Sequence, residues 1–288
     1  MNTITTELPL WFIYLFTALF GLTLGSFLNV LILRLPKILE ASWKAQCCEL
    51  LEQPAPEGEK LGLAFPASHC PACNAPIQPW QNIPVISYLF LRGRCANCKT
   101  TISPRYPIIE IVTGLLSVAV VYFFGVNWQA ASILVFTWAL LTLTVIDFDT
   151  QLLPDCITLP LLWLGILVNS SGLITDLSSA VWGAIWGYLA LWSVFWAFKL
   201  LTGKEGMGYG DFKLLAALGA WMGWQMLPLV IILSSVVGAV IGIALIVIKG
   251  RDKNIPIPFG PYLAIAGWIA MLWGDEIVAR YLQIAMVG

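Results

Sequence analysis

Charge is scarce in this chain. Only 11% of its 288 residues are Asp, Glu, Lys or Arg, while 59% are hydrophobic; a soluble domain carries about 25% charged residues, so a water-soluble globule is excluded. The formal net charge is −1, which leaves no cationic footprint for nucleic acid. Histidine is nearly missing: His69 is the single one, so Ser-His-Asp and Cys-His hydrolytic sites are not supplied. Beside Cys70, it reads as a loop residue. The residues before Trp11 include Glu7 but no Lys or Arg. A cleaved signal peptide needs a basic flank, so the first apolar run is expected to stay as an anchor. The chain also has no internal repeat, no low-complexity tract and no G-x-G-x-x-G following a strand, which excludes a dinucleotide-type Rossmann domain.

What the chain has is long apolar runs. A helical crossing needs about 20 apolar residues, and Trp11 to Leu33 exceeds that without a charge. Eight spans are predicted, over 10–33, 107–126, 128–146, 156–174, 178–198, 212–224, 228–248 and 256–273. The fold class is therefore an all-α polytopic membrane protein of about eight transmembrane helices. The tightest pair shares the 35 residues from Leu214 to Ile248, either as two crossings or as a re-entrant hairpin. The stretch after Asp275 is expected along the outer interface.

The cations fix the expected sidedness. Eight of the fifteen Lys and Arg residues lie between Arg34 and Arg105; Lys199, Lys204 and Lys213 surround a Gly-rich loop; Lys249, Arg251 and Lys253 follow an apolar run; Arg280 stands alone. With the N-terminus outside, all three clusters face the side that the positive-inside rule makes cytoplasmic. Three regions follow: a first transmembrane helix over 1–33, a small cytoplasmic insert over 34–105, and a transmembrane core over 106–288. The insert's first part, Glu40 to Lys60 with Pro54, Pro56 and Gly58, reads as a short helix and a flexible loop.

Within the insert, Cys70-Pro-Ala-Cys73 and Cys95-Ala-Asn-Cys98 are separated by 21 residues. Two C-x2-C pairs read as knuckles that each offer two sulfurs to one tetrahedral zinc. Disulfides are disfavoured in a reducing cytoplasm, and a redox C-x-x-C needs no second pair. Four protein thiolates leave no open position for water, so the zinc is expected to be structural. Cys47, Cys48 and Cys156 lack such spacing and read as ordinary thiols.

Acids at the ends of apolar helices are costly and mark functional sites by default. Asp147 lies in Ile146-Asp147-Phe148-Asp149, at the end of the third span, and Asp211 ends Gly208-Tyr209-Gly210-Asp211 at the start of the sixth. Both fall on the cation-rich side, so the two carboxylates can share one depth, where one retains a proton while the other activates water. Gly208 and Gly210 would let a substrate backbone come close. A capping role for Asp211 is also open on spacing alone, as is one for Asp155 at the fourth span. Asp149 reads as a solvated helix end, Lys213 as a cytoplasmic anchor with a pair to Asp211 as the alternative, and Glu110 as a snorkelling residue or a partner of Arg105. Gly21 and Gly25 have small-x-x-x-small spacing, which favours helix packing.

In its ordered blocks the chain resembles the bacterial type IV prepilin peptidases, the prepilin leader peptidase and N-methyltransferase family. The blocks are Gly25-Ser26-Phe27-Leu28-Asn29-Val30 with Arg34-Leu35-Pro36, the four cysteines, Trp80-Gln81-Asn82-Ile83-Pro84, Leu91-Arg92-Gly93, Ser103-Pro104-Arg105-Tyr106-Pro107, Asp147 with Leu153-Pro154-Asp155, and Gly208-Tyr209-Gly210-Asp211. His69 departs from the arginine expected before the first zinc cysteine. The resemblance implies a Gly-x-Gly-Asp intramembrane aspartic protease with Asp147 and Asp211 as its pair, in the bacterial inner membrane. It implies type IV prepilins and type II secretion pseudopilins as substrates, cut after a glycine that closes a basic leader. It also implies methylation of the new N-terminus with S-adenosylmethionine. Gly25, Asn29 and Arg34 are candidates for that cofactor's pocket, with helix packing as the competing reading of the glycine. A proton-coupled transporter and a noncatalytic pilus-assembly scaffold are the alternative functions.

Overall fold

The computed structural model describes residues 8–54, 61–249 and 258–287; Glu7, Pro56, Gly58, Lys60, Arg251 and Lys253 lie outside the described residues. Nine α-helices occur among the described residues: α1 (Leu10–Leu50), α2 (Ile86–Phe90), α3 (Arg105–Phe124), α4 (Trp128–Thr150), α5 (Asp155–Asn169), α6 (Leu177–Thr202), α7 (Tyr209–Met222), α8 (Leu227–Lys249) and α9 (Gly260–Val287). Six segments are long and apolar enough to cross a membrane, and they belong to α1, α3, α4, α6, α8 and α9.

Each of the eight expected spans therefore has a helix, but two are short. α5 has 15 residues and α7 has 14. At about 1.5 Å per residue, α7 covers about 21 Å, against about 30 Å of hydrocarbon. The crowded 212–248 stretch resolves into α7 and α8, which meet at Gly223 (φ +84°) and a 3-10 turn, Trp224–Met226.

One end differs from expectation. α1 does not stop near Leu33 but runs through Pro36 to Leu50. Its polar extension is rich in Leu, Ala, Lys, Glu and Gln, which favour helix regardless of solvent. α9 continues past Asp275 to Val287 as one helix, because nothing in Asp275-Glu276-Ile277-Val278-Ala279-Arg280 breaks the backbone ladder.

The chain divides into two compact units, Met1–Ala130 and Ala131–Gly288. In the first, α1 crosses α3 closely. A Cβ on Gly21 would come within 2.8 Å of the Gly114 backbone, and one on Gly25 within 2.7 Å of the Glu110 backbone. The Gly21/Gly25 pair thus packs helices, as small-residue spacing in membranes does.

In the second unit α7 is the central helix. From Leu214 to Met222 every residue is buried. α6 lies against it through Gly183 and Gly187, which abut Gly219 and the Leu215–Ala216 backbone. On the α5 side, Gly165 makes room for the indole of Trp221, whose Nε1 donates to the Leu161 carbonyl at 2.8 Å. A buried amide pins the far end: Asn169 Nδ2 donates to the carbonyls of Ala220 and Trp221, and its Oδ1 accepts from the N–H groups of Ile174 and Thr175. This network holds the position of α7 and hence of the acid at its start.

Candidate active site and metal centre

The metal centre is built from two hairpins of matching backbone design. In the first, Cys70 N–H donates to Ala75 O and Asn74 N–H to Cys70 O; in the second, Cys95 N–H donates to Thr100 O and Lys99 N–H to Cys95 O. Asn74 and Lys99 both take positive φ, 55° and 61°, the turn conformation that closes each loop. All four sulfurs lie within 4.8 Å of one another, and Cys70 Sγ is 3.7 Å from Cys98 Sγ. A tetrahedral ion with sulfurs at about 2.3 Å would set them about 3.8 Å apart, so Cys70, Cys73, Cys95 and Cys98 fit a four-thiolate metal site. Cys47, Cys48 and Cys156 stand outside this cluster. His69 is an exposed loop residue whose Nδ1 lies 3.1 Å from Ala67 O.

Asp147 and Asp211 come together in the second unit. Asp147 sits in the last turn of α4 and Asp211 in the first turn of α7. They are 4% and 6% exposed, and both flank one side chain: Gly260, beside Asp147, and Gly210, next to Asp211, each abut Leu153. Two such acids buried in one place leave little role for solvation. Asp211 is not the cap of α7. That position belongs to Gly208, which makes no side-chain cap bond, and Asp211 is instead turned inward. Gly208 lies beside the Asp211 carboxylate, while Gly210 abuts the side chain of Leu153.

The neighbouring acids part company with the pair. Asp149 and Asp155 are exposed. Asp155 does not cap α5 either: the cap position is Pro154, and the Asp155 carboxylate takes Lys213 Nζ at 2.8 and 2.7 Å. Lys213 therefore pairs with Asp155 and not with Asp211.

One site residue carried no local signal in the sequence. Gly260, at the start of α9, sits against Asp147, where a Cβ would fall 2.6 Å from Oδ2. It is 113 residues from Asp147 in the chain, and no spacing rule links such positions.

In the first unit, Glu110 is buried and its Oε2 accepts the Val85 N–H at 2.8 Å; it neither snorkels nor forms an ion pair among the described residues. Val85 takes φ +59°, uncommon for a β-branched residue. The three cofactor candidates each have contacts within the chain. Gly25 is filled in by Glu110 and Thr113, Asn29 Nδ2 donates to Tyr106 O, and Arg34 donates to the carbonyls of Gly62 and Leu63.

Apolar helices long enough to cross a membrane, two buried aspartates and a four-cysteine insert define a polytopic membrane protein. Residues 19–124 match the family described as bacterial peptidase A24 N-terminal domain, and residues 134–243 match the type IV leader peptidase family. The chain is 58% identical over 278 residues to a protein of Stutzerimonas stutzeri named prepilin leader peptidase/N-methyltransferase, covering 96% of both. It is 56% identical to a protein of that name from Pseudomonas aeruginosa, over 96% of both, and 46% identical to one from Legionella pneumophila, over 98% of both. No solved structure matches. The chain belongs to the type IV leader peptidase family.

Proposed function

We propose that this protein cleaves the leader of type IV prepilins within the membrane and methylates the new N-terminus. The observation that carries the peptidase half is the burial of Asp147 and Asp211 in one place, on either side of Leu153. Two carboxylates so placed do not both ionise cheaply, so one holds a proton. The ionised member takes a proton from water as it attacks the scissile carbonyl, and the protonated member hydrogen-bonds the carbonyl oxygen and later supplies the proton to the leaving amine. Gly208, exposed at the cap of α7, and Gly210, half-buried in its first turn, leave a surface without side chains along which the substrate backbone lies.

Pseudopilins of type II secretion fit the same chemistry, since they share a basic leader on an apolar helix. That leader stays on the cytoplasmic side of the inner membrane by the positive-inside rule, as do the cation-flanked ends of α4 and α7. The ion of the four-cysteine site is zinc, held by Cys70, Cys73, Cys95 and Cys98, and it is structural because all four positions are protein thiolates. S-adenosylmethionine supplies the methyl group; Gly25 is closed by helix packing, while Asn29 Oδ1 and the remaining guanidinium donors of Arg34 stay available to it. The test is to incubate purified protein, Asp147→Asn and Asp211→Asn with a prepilin in detergent or nanodiscs. Leader removal by the parent and a loss of about 100- to 10,000-fold in each variant are expected. Full processing by either variant refutes the dyad.

A further inference from the structure

We propose that Gly260 is a positioning residue of the peptidase centre: its backbone N–H orients the Asp147 carboxylate, and its missing side chain is what allows the approach. The inference rests on Asp147 being half of the dyad.

Three observations converge on it. First, Gly260 is walled in by the site. A Cβ there would lie 2.6 Å from Asp147 Oδ2, 3.2 Å from Asp147 Cγ and 3.0 Å from Leu153 Cδ1. Real Cβ atoms do not approach so closely, and the neighbour is a carboxylate buried to 4% exposure. The position therefore admits glycine alone without moving the acid.

Second, the start of α9 has one donor to spare. The first N–H groups of a helix have no partner within it. Here Tyr262 and Leu263 turn theirs back to the Phe259 carbonyl, and Pro261 has none. The N–H of Gly260 is left, on a backbone that lies directly against the Asp147 carboxylate. Helix polarity adds to this, since an N-terminus favours negative charge.

Third, Asp147 Oδ2 is buried without a hydrogen-bond partner among the described residues. Buried polar atoms are nearly always paired. A buried acceptor walled in by the start of α9 yet left with an open lone pair is suited to bind the attacking water. Gly260 also shares Leu153 with Gly210, whose own missing Cβ would lie 2.8 Å from Leu153 Cβ. One leucine thus fills the gap beside both glycines, one next to each aspartate.

The experiment compares Gly260→Ala, Pro261→Ala and Asp147→Asn in the full-length purified protein, with kcat and KM measured for one prepilin. Gly260→Ala is expected to lower kcat on the order of 100-fold, the size of loss that a misplaced catalytic group produces. KM and the thermal midpoint are expected to hold, the pH profile of kcat to be displaced, and Pro261→Ala to behave as the parent. A normal kcat in Gly260→Ala while Asp147→Asn is inactive overturns this inference and leaves the dyad standing. Normal activity in Asp147→Asn overturns both. If Gly260→Ala fails to fold, the Leu153→Ala/Gly260→Ala double variant gives the added methyl space on one side. A folded double variant with kcat still depressed relative to Leu153→Ala supports the role, and one that matches Leu153→Ala refutes it.

Discussion

Lys213 Nζ lies 2.8 and 2.7 Å from the two carboxylate oxygens of Asp155, so the cation nearest Asp211 in sequence is spent on another acid. Asp211 has no ion-pair partner among the described residues and is buried. The Lys213–Asp155 pair is partly exposed, and such pairs contribute at most about 1 kcal/mol. Lys213→Met and Asp155→Asn are therefore expected to retain prepilin cleavage within a few-fold and the parental thermal midpoint within a few degrees. A loss as deep as that of Asp211→Asn in either variant would make the pair part of the chemistry.

The amide of Asn169 is predicted to matter more for stability than any surface charge. It serves four backbone groups, two carbonyls and two N–H groups. Asn169→Leu leaves the two buried carbonyls of Ala220 and Trp221 without this partner, at about 1–3 kcal/mol each, while the part-buried N–H groups of Ile174 and Thr175 can turn to water. Thermal unfolding in detergent should show a drop of several degrees or failure to accumulate, with residual activity falling in proportion to folded protein.

Acid should weaken the start of α6. Asp176 Oδ2 accepts the Ser179 N–H at 2.8 Å, and this bond holds the Asp176 carboxyl below its ordinary value. A depressed carboxyl contributes stability above its unfolded value, and that contribution is lost as pH falls through the lower folded value. Asp176→Asn retains an acceptor oxygen but does not titrate. Its thermal midpoint should consequently decline less than the parent's between neutral and acidic pH. Parallel declines would remove Asp176 from the account.

Metal removal gives the test of the insert. Purified protein should carry one zinc per chain by elemental analysis. Cys70→Ser/Cys95→Ser should carry none, and protease should then cut the segment between Cys70 and Cys98 faster. Stoichiometric zinc in that double variant would contradict the four-thiolate assignment.

How much of this was legible beforehand depended on the range of the signal. Apolar run length gave eight helices, and even the crowded 212–248 stretch separated into two. The four cysteines were legible because each knuckle is a local turn. Asp147 and Asp211 stood out as acids at the edges of apolar runs, although their meeting was an inference from cation counts rather than from either sequence neighbourhood. The end of α1 was misplaced because a change from apolar to polar composition marks where lipid ends and not where a helix ends. Two contacts had no sequence signal at all: Glu110 with the Val85 N–H, and Gly260 with Asp147. Both join a side chain to backbone elsewhere in the chain, and backbone groups carry no letter in a sequence.

The matched hairpins of the insert have a consequence for how it assembles. Each closes on its own pair of main-chain bonds, so an incoming ion has only to join two loops that already hold their thiols in register. Ordering entropy is then largely spent before the ion arrives. Stripping by a chelator should for that reason be reversible, with readdition of zinc restoring the insert without denaturation and refolding.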